Sequence, residues 1–204
     1  MRKFNNFGGP VKKKSNIFLT IVLVIMFIAA GAGVYIASAQ NTNKEINMEN
    51  KRVLIAYFSH SGNTKSAAAK ISEITGGDLF EIKPVKDYPK DYSTVVEQAK
   101  LEKENDTRPE LVDNGDVKNY DIIFIGTPVW WYTMAPPVKT FLMNNDFEGK
   151  IVVPFCTHGG GGASSTYDDM KKLAPNARVT EGYTSYEKTA NTNDITKWIN
   201  NLNL

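Results

Sequence analysis

A single cysteine, Cys156, and two histidines, His60 and His158, are the only thiol and imidazole groups in the chain. One cysteine excludes a disulfide framework and a cysteine-rich zinc site. Two imidazoles are too few for a histidine-rich metal centre, and no metal site is expected. A basic surface is missing as well. The net charge of +2 over 204 residues comes from Arg2, Lys3, Lys12, Lys13 and Lys14, because residues 1–39 hold no acid and the remainder carries 19 bases against 22 acids, a balance of −3. The electrostatic footprint of a nucleic-acid-binding domain is therefore absent from the globular part, and no nucleic-acid partner is expected. The chain also lacks a glycine–lysine–serine/threonine phosphate loop and the G-x-G-x-x-G dinucleotide fingerprint.

One long hydrophobic run is present. No charge occurs from Ile17 to Ala39, and Ile17–Ile36 is a 20-residue stretch built mostly of aliphatic side chains and glycine, long enough to span a bilayer as a helix. All nearby bases precede it, which by the positive-inside rule leaves the N-terminus in the cytoplasm and the rest of the chain outside. Ala37-Ser38-Ala39, ahead of Gln40, has the small-residue pattern of a signal-peptidase site. The expectation is a basic leader and membrane anchor over residues 1–39, with the domain extracytoplasmic, or secreted if the chain is cleaved after Ala39. A buried core helix would show a polar face, and this run has none. Residues 40–50 read as a polar tether, and residues 51–204 as one domain able to bury a core without staples, given 42% hydrophobic and 11% aromatic residues.

Within 51–204, apolar runs alternate with segments of helical period. Val53–Phe58 reads as a buried strand. The helix after it, capped by Asn63 or Thr64, carries Ala67, Ala68, Ile71 and Ile74 on one face and stops at Gly76-Gly77. Leu79–Ile82 is a second strand. A helix over about 93–104 follows, with Tyr92, Val95, Val96 and Ala99 on one face. Tyr120–Gly126 is a third strand, and Pro136 or Pro137 opens a helix bearing Val138, Phe141 and Leu142. Lys150–Phe155, a helix over about 164–173, a weaker strand around 178–183, and a last helix with Ile195, Trp198, Ile199 and Leu202 complete the pattern. Five strands alternating with five helices imply an α/β, doubly wound parallel sheet, in which ligands bind beyond the carboxyl ends of the strands.

Three unusual loops fall at those ends. Ser59-His60-Ser61-Gly62-Asn63-Thr64 offers hydroxyls and the N–H groups of a helix start, donors that suit a monophosphate, although an ordinary helix cap has the same composition. Lys65 is the one base seen beside it. Thr127-Pro128-Val129-Trp130-Trp131-Tyr132 sets two of the three tryptophans side by side in a connection, where a planar aromatic ligand could stack; covering the sheet end or meeting a partner protein would also use them. Cys156-Thr157-His158-Gly159-Gly160 continues into Gly161-Gly162, so backbone can approach a flat ligand edge, unless the glycines merely loosen a helix entry. Cys156 itself reads as an inert buried thiol.

Together, in this order and spacing, the three loops resemble those of the flavodoxins. Ser59 to Thr64 is similar to the flavodoxin phosphate loop, Ser/Thr-x-Thr-Gly-x-Thr, with Ser61 in place of the third-position Thr. Gly126 to Trp131 and Phe155 to Gly160 resemble the other two loops of a flavodoxin-like subgroup. The resemblance implies five parallel strands in the order 2-1-3-4-5 and FMN as cofactor. It assigns Ser59, His60, Ser61, Gly62, Asn63 and Thr64 to the phosphate end, Thr127, Pro128, Val129, Trp130, Trp131 and Tyr132 to the loop flanking the isoalloxazine, and Thr157, His158, Gly159 and Gly160 to its pyrimidine edge. His158 could face the charge of the reduced flavin or be a solvent-exposed bystander. One departure from electron-carrier flavodoxins stands out, since their second loop holds a glycine-bearing turn and no glycine lies between Thr127 and Pro137 here. The implied function is electron transfer through FMN, with a redox partner protein or a small-molecule electron acceptor. An FMN-dependent NAD(P)H:quinone-type reductase and a cofactor-free binding module on the same fold are the alternatives.

Overall fold

The computed structural model describes residues 50–186 and 189–204. The leader and almost all of the tether lie outside them; among the described residues no helix is long and apolar enough to cross a membrane.

Strand β1 is Val53–Tyr57, β2 is Asp78–Glu81, β3 is Ile122–Trp130, β4 is Thr133–Met134, β5 is Ile151–His158, β6 is Arg178–Val179 and β7 is Tyr183–Tyr186. The helices are α1 (Asn63–Thr75), α2 (Tyr92–Glu104), α3 (Pro136–Asn144), α4 (Thr166–Leu173) and α5 (Thr192–Asn201). The path across the sheet is β2-β1-β3-β5-β6. All pairings in it are parallel, and only β4 runs antiparallel, folded back on β3.

The central strands are apolar over Val53–Tyr57, 122–126 and 151–156 because both faces are covered there. Successive side chains alternate sides, so Leu54, Ala56, Ile123 and Ile125 pack with Val138, Phe141 and Leu142 of α3. Val53, Ile55, Ile122 and Phe124 pack on the other face with Ile71 of α1 and Ile195 and Ile199 of α5. The strand partners fit closely: a Cβ on Gly126 would lie 2.1 Å from Cζ of Phe155.

The structure corrects the expected five strands in the order 2-1-3-4-5. Seven strands occur among the described residues, because the second loop folds back as β4 and the fifth position is shared. β6 pairs with Ile151 and Val152, whereas β7 pairs with Phe155 to His158. The interruption lies opposite Pro154, which has no N–H to give to a ladder. Two strands are also longer than expected. β3 runs on to Trp130 and β5 to His158, so the second and third loops begin as strand. Nor is α1 capped by Asn63 or Thr64. Its cap is Gly62, at φ +89°, with no side-chain hydrogen bond.

Candidate functional site

A cleft of about 700 Å³ opens at the carboxyl ends of β1, β3 and β5, within the size range of small-molecule sites. All three sequence-predicted loops contribute to it: His60, Ser61 and Asn63 from the first, Pro128 to Tyr132 from the second, and Thr157, His158 and Gly159 from the third. The fourth wall was not foreseen. It is α2, through Tyr92, Val95, Val96 and Ala99, joined by Ser164 before α4. The spacing of 92, 95, 96 and 99 places them on one helix face in the sequence, but nothing local says that this face borders a cleft. Tyr92 is in fact 81% exposed at the rim.

The first loop prepares a helix N-terminus for an acceptor. The left-handed Gly62 turns the chain into α1, its N–H donating to Ser59 Oγ at 3.1 Å. No side chain caps the first turn, and it holds no acid, so its N–H groups and the positive end of the helix dipole stay available. Beside them, Asn63 Oδ1 is buried without a hydrogen-bond partner. Thr64 is used differently: its hydroxyl is buried and bonded to Thr157 Oγ1 at 2.8 Å, which ties the first loop to the third. His60 faces the cleft edge-on to Trp130 and donates from Nε2 to the Pro89 carbonyl at 2.8 Å. Lys65 lies outside this arrangement, in an exposed pair with Glu81.

The second loop is a two-residue hairpin. Val129 pairs with Met134 and Trp130 with Thr133, leaving Trp131 and Tyr132 at the turn with φ of +47° and +71°. Positive φ at both central residues marks the mirror-image turn that ordinarily uses Asn-Gly, and two bulky aromatics there are strained. Neighbours hold the strained turn in place. The Lys103 ammonium donates to the Trp131 carbonyl at 2.7 Å, and Ser165 donates its N–H and hydroxyl to the Tyr132 carbonyl at 3.0 and 2.8 Å. Trp131 Nε1 donates to the Val96 carbonyl at 2.9 Å. Lys100 and Lys103 lie over the Trp131 and Tyr132 rings, 5.6 and 5.9 Å from their centroids. Two bases thus stand beside the second loop. Val96, Lys100 and Lys103 share a helix face, a spacing that could have pointed to the two lysines. Thr127 is buried and its hydroxyl serves the hairpin, accepting from the Ala135 N–H and donating to the Pro128 carbonyl.

In the third loop, His158 Nδ1 accepts the N–H groups of Gly160 and Gly162 at 3.0 and 3.1 Å. The imidazole therefore braces the glycine run, and Nδ1 carries no proton in this arrangement. Cys156 is buried against Tyr167 and Thr184, with its thiol pushed up by burial, as expected of an inert thiol. No group of histidines, cysteines and acids suited to a metal ion occurs among the described residues.

The sequence profile of the family described as Flavodoxin matches residues 52–202. No curated protein matches the chain. Among solved structures, a candidate flavoprotein from Bacteroides eggerthii is 31% identical, covers 74% of this chain and 96% of its own, and superposes with a TM-score of 0.67. A second, from Bacteroides uniformis, is 30% identical with the same TM-score, over 73% of this chain and 97% of its own. A flavoprotein from Lactobacillus acidophilus, solved in complex with FMN, is 31% identical, covers 72% of this chain and 98% of its own, and has a TM-score of 0.57.

Proposed function

This chain belongs to the flavodoxin family, and from that premise we propose that it is an FMN-binding redox flavoprotein that passes electrons between partners. The observation that carries the reading is one cleft joining a helix start with no side-chain cap, Trp130 beside the strained turn of Trp131 and Tyr132, and a braced glycine loop. The residues fit the cofactor. A monophosphate suits the free N–H groups of the α1 start with the hydroxyls of Ser59 and Ser61 beside them. The unpartnered Asn63 Oδ1 suits a hydroxyl donor such as a sugar-alcohol chain carries. Trp130, Trp131 and Tyr132 offer ring faces and edges to a planar heterocycle, and the backbone of Thr157 to Gly160 offers donors and acceptors to its polar edge.

When bound, FMN supplies one- and two-electron chemistry. The chain supplies binding and tuning. Thr64 and Thr157 hold the phosphate end and the polar-edge end of the cleft at a fixed separation. His158 fixes the glycine backbone by accepting two of its N–H groups at Nδ1. Lys100 and Lys103 add positive charge beside the aromatic turn, which favours an anionic ligand or partner surface there.

Titration of the purified chain with FMN, FAD and riboflavin tests this reading. FMN is expected to bind with its fluorescence quenched, tighter than riboflavin by about tenfold or more, or roughly 1.4 kcal/mol. Equal affinity for riboflavin removes the phosphate role of residues 59–64. The uncharged run Ile17–Ile36 further supports a domain tethered to the membrane or exported across it. Protease added outside intact cells then digests the anchored domain, or the domain appears in the medium after cleavage at Ala39. Protection until lysis contradicts that topology.

A further inference from the structure

Trp130 stands between two clefts. It lines the one at the loop ends and also a second, of about 320 Å³, on the other side of the β3–β4 hairpin. Behind it the Tyr88 ring meets the indole edge-to-face, with centroids 5.0 Å apart. Tyr88 is only 8% exposed, and its hydroxyl donates to Glu102 Oε2 at 2.5 Å, at the short end for a bond between a hydroxyl and a carboxylate. Gln98 Nε2 donates to the other carboxylate oxygen at 2.8 Å, which fixes its orientation. Glu102 also lines the second cleft. A core that only had to fill space would use Phe at position 88, since a buried phenol must find a partner. Burial, and then the hydrogen bond and charge of Glu102, raise the Tyr88 pKa well above the usual phenol range.

We propose that Trp130, Tyr88 and Glu102 form a relay that carries a one-electron oxidation out of the cleft and into the protein. A one-electron oxidant in the cleft takes an electron from the Trp130 indole. An electron then passes from the Tyr88 ring to Trp130, while the phenolic proton moves along its hydrogen bond to Glu102 Oε2. The balance is a reduced oxidant, a restored indole, a neutral tyrosyl radical and a protonated Glu102. The two transfers are coupled because a phenol that loses an electron becomes a strong acid, and Glu102 is the base its hydroxyl touches. The oxidant is an aromatic redox cofactor in its light-excited state, and in that identity alone the relay rests on the FMN reading.

Pulse radiolysis in azide solution tests the relay without a cofactor, because azidyl radicals oxidise indoles in preference to phenols. The full chain carries Trp198→Phe for this purpose, since Trp198 lies 5.3 Å from Tyr183 and would provide a second indole–phenol pair. Tryptophanyl absorbance is expected to decay as tyrosyl absorbance grows, at a rate independent of protein concentration. Tyr88→Phe abolishes that growth and leaves a longer-lived tryptophanyl signal. Glu102→Gln, which keeps the shape of the site, slows the growth on the order of a hundredfold, the low end for loss of a positioned base. A concentration-independent growth that survives Tyr88→Phe, an unchanged rate in Glu102→Gln, or no growth in the parent overturns the relay. FMN titration of the same preparation reports separately on the cofactor.

Discussion

Thr64 and Thr157, 93 residues apart in the chain, share a buried hydrogen bond between their Oγ1 atoms at 2.8 Å. It is the direct link between the start of α1 and the end of β5. Replacing either threonine by Val strands the other hydroxyl in the interior and is expected to cost about 1–3 kcal/mol. Replacing both removes donor and acceptor together and is expected to be nearly neutral. Urea denaturation of the two single variants and the double variant measures the cycle, and additive losses would show that the bond carries no coupling.

The hairpin turn makes a prediction of opposite sign. Tyr132 is 65% exposed at φ +71°, so Tyr132→Asn relieves left-handed strain while removing little packing. Apo-chain stability is expected to rise by about 1 kcal/mol, read from the thermal midpoint. Under the FMN reading the same variant binds the cofactor more weakly, which would make the strain part of the function.

Gly126 tests the fit between β3 and β5. A Cβ there would lie 2.1 Å from the Phe155 ring, well inside van der Waals contact. Gly126→Ala is expected to destabilise by about 1–3 kcal/mol, and Phe155→Leu in the same chain should recover part of that loss. Failure of the second substitution to recover any stability would put the origin in the backbone rather than in the ring.

Acid sensitivity is expected at the start of α2. The side chains of Ser93 and Thr94 and the Thr94 N–H donate to Asp91 and lower its pKa to about 2, against 3.8 for an unperturbed aspartate. Because the fold favours the charged form, its contribution is complete above the unfolded value and is lost as pH falls from 3.8 towards about 2. Asp91→Asn keeps the cap without the charge. Its thermal midpoint should therefore fall less steeply than the parent's across that window, and parallel curves would argue against the assignment.

Much of this protein was legible in the chain itself. Apolar runs at Val53–Tyr57 and Ile122–Gly126 could be satisfied only by burial on both faces, and helical periods between the strands left a doubly wound sheet as the arrangement that covers both. Ser59 to Thr64, the adjacent tryptophans and the glycine run named three of the cleft's walls, because each breaks the pattern its neighbours follow.

What the tertiary structure decided is how those pieces meet. Trp131 and Tyr132 read as a loop in sequence, since nothing local favours left-handed φ for two aromatics. Lys103, Val96 and Ser165, brought in by α2 and the approach to α4, stabilise the turn against that preference. In the same way, Tyr92 to Ala99 has a period that fits core or cleft equally well, and only the packing of α2 beside the hairpin turned it into a wall. Strand and helix follow from patterns a few residues long, so composition and spacing fix them. The turn, the Thr64–Thr157 link and the Tyr88–Glu102 contact join residues that local propensity leaves unconnected, so only the assembled fold could determine them.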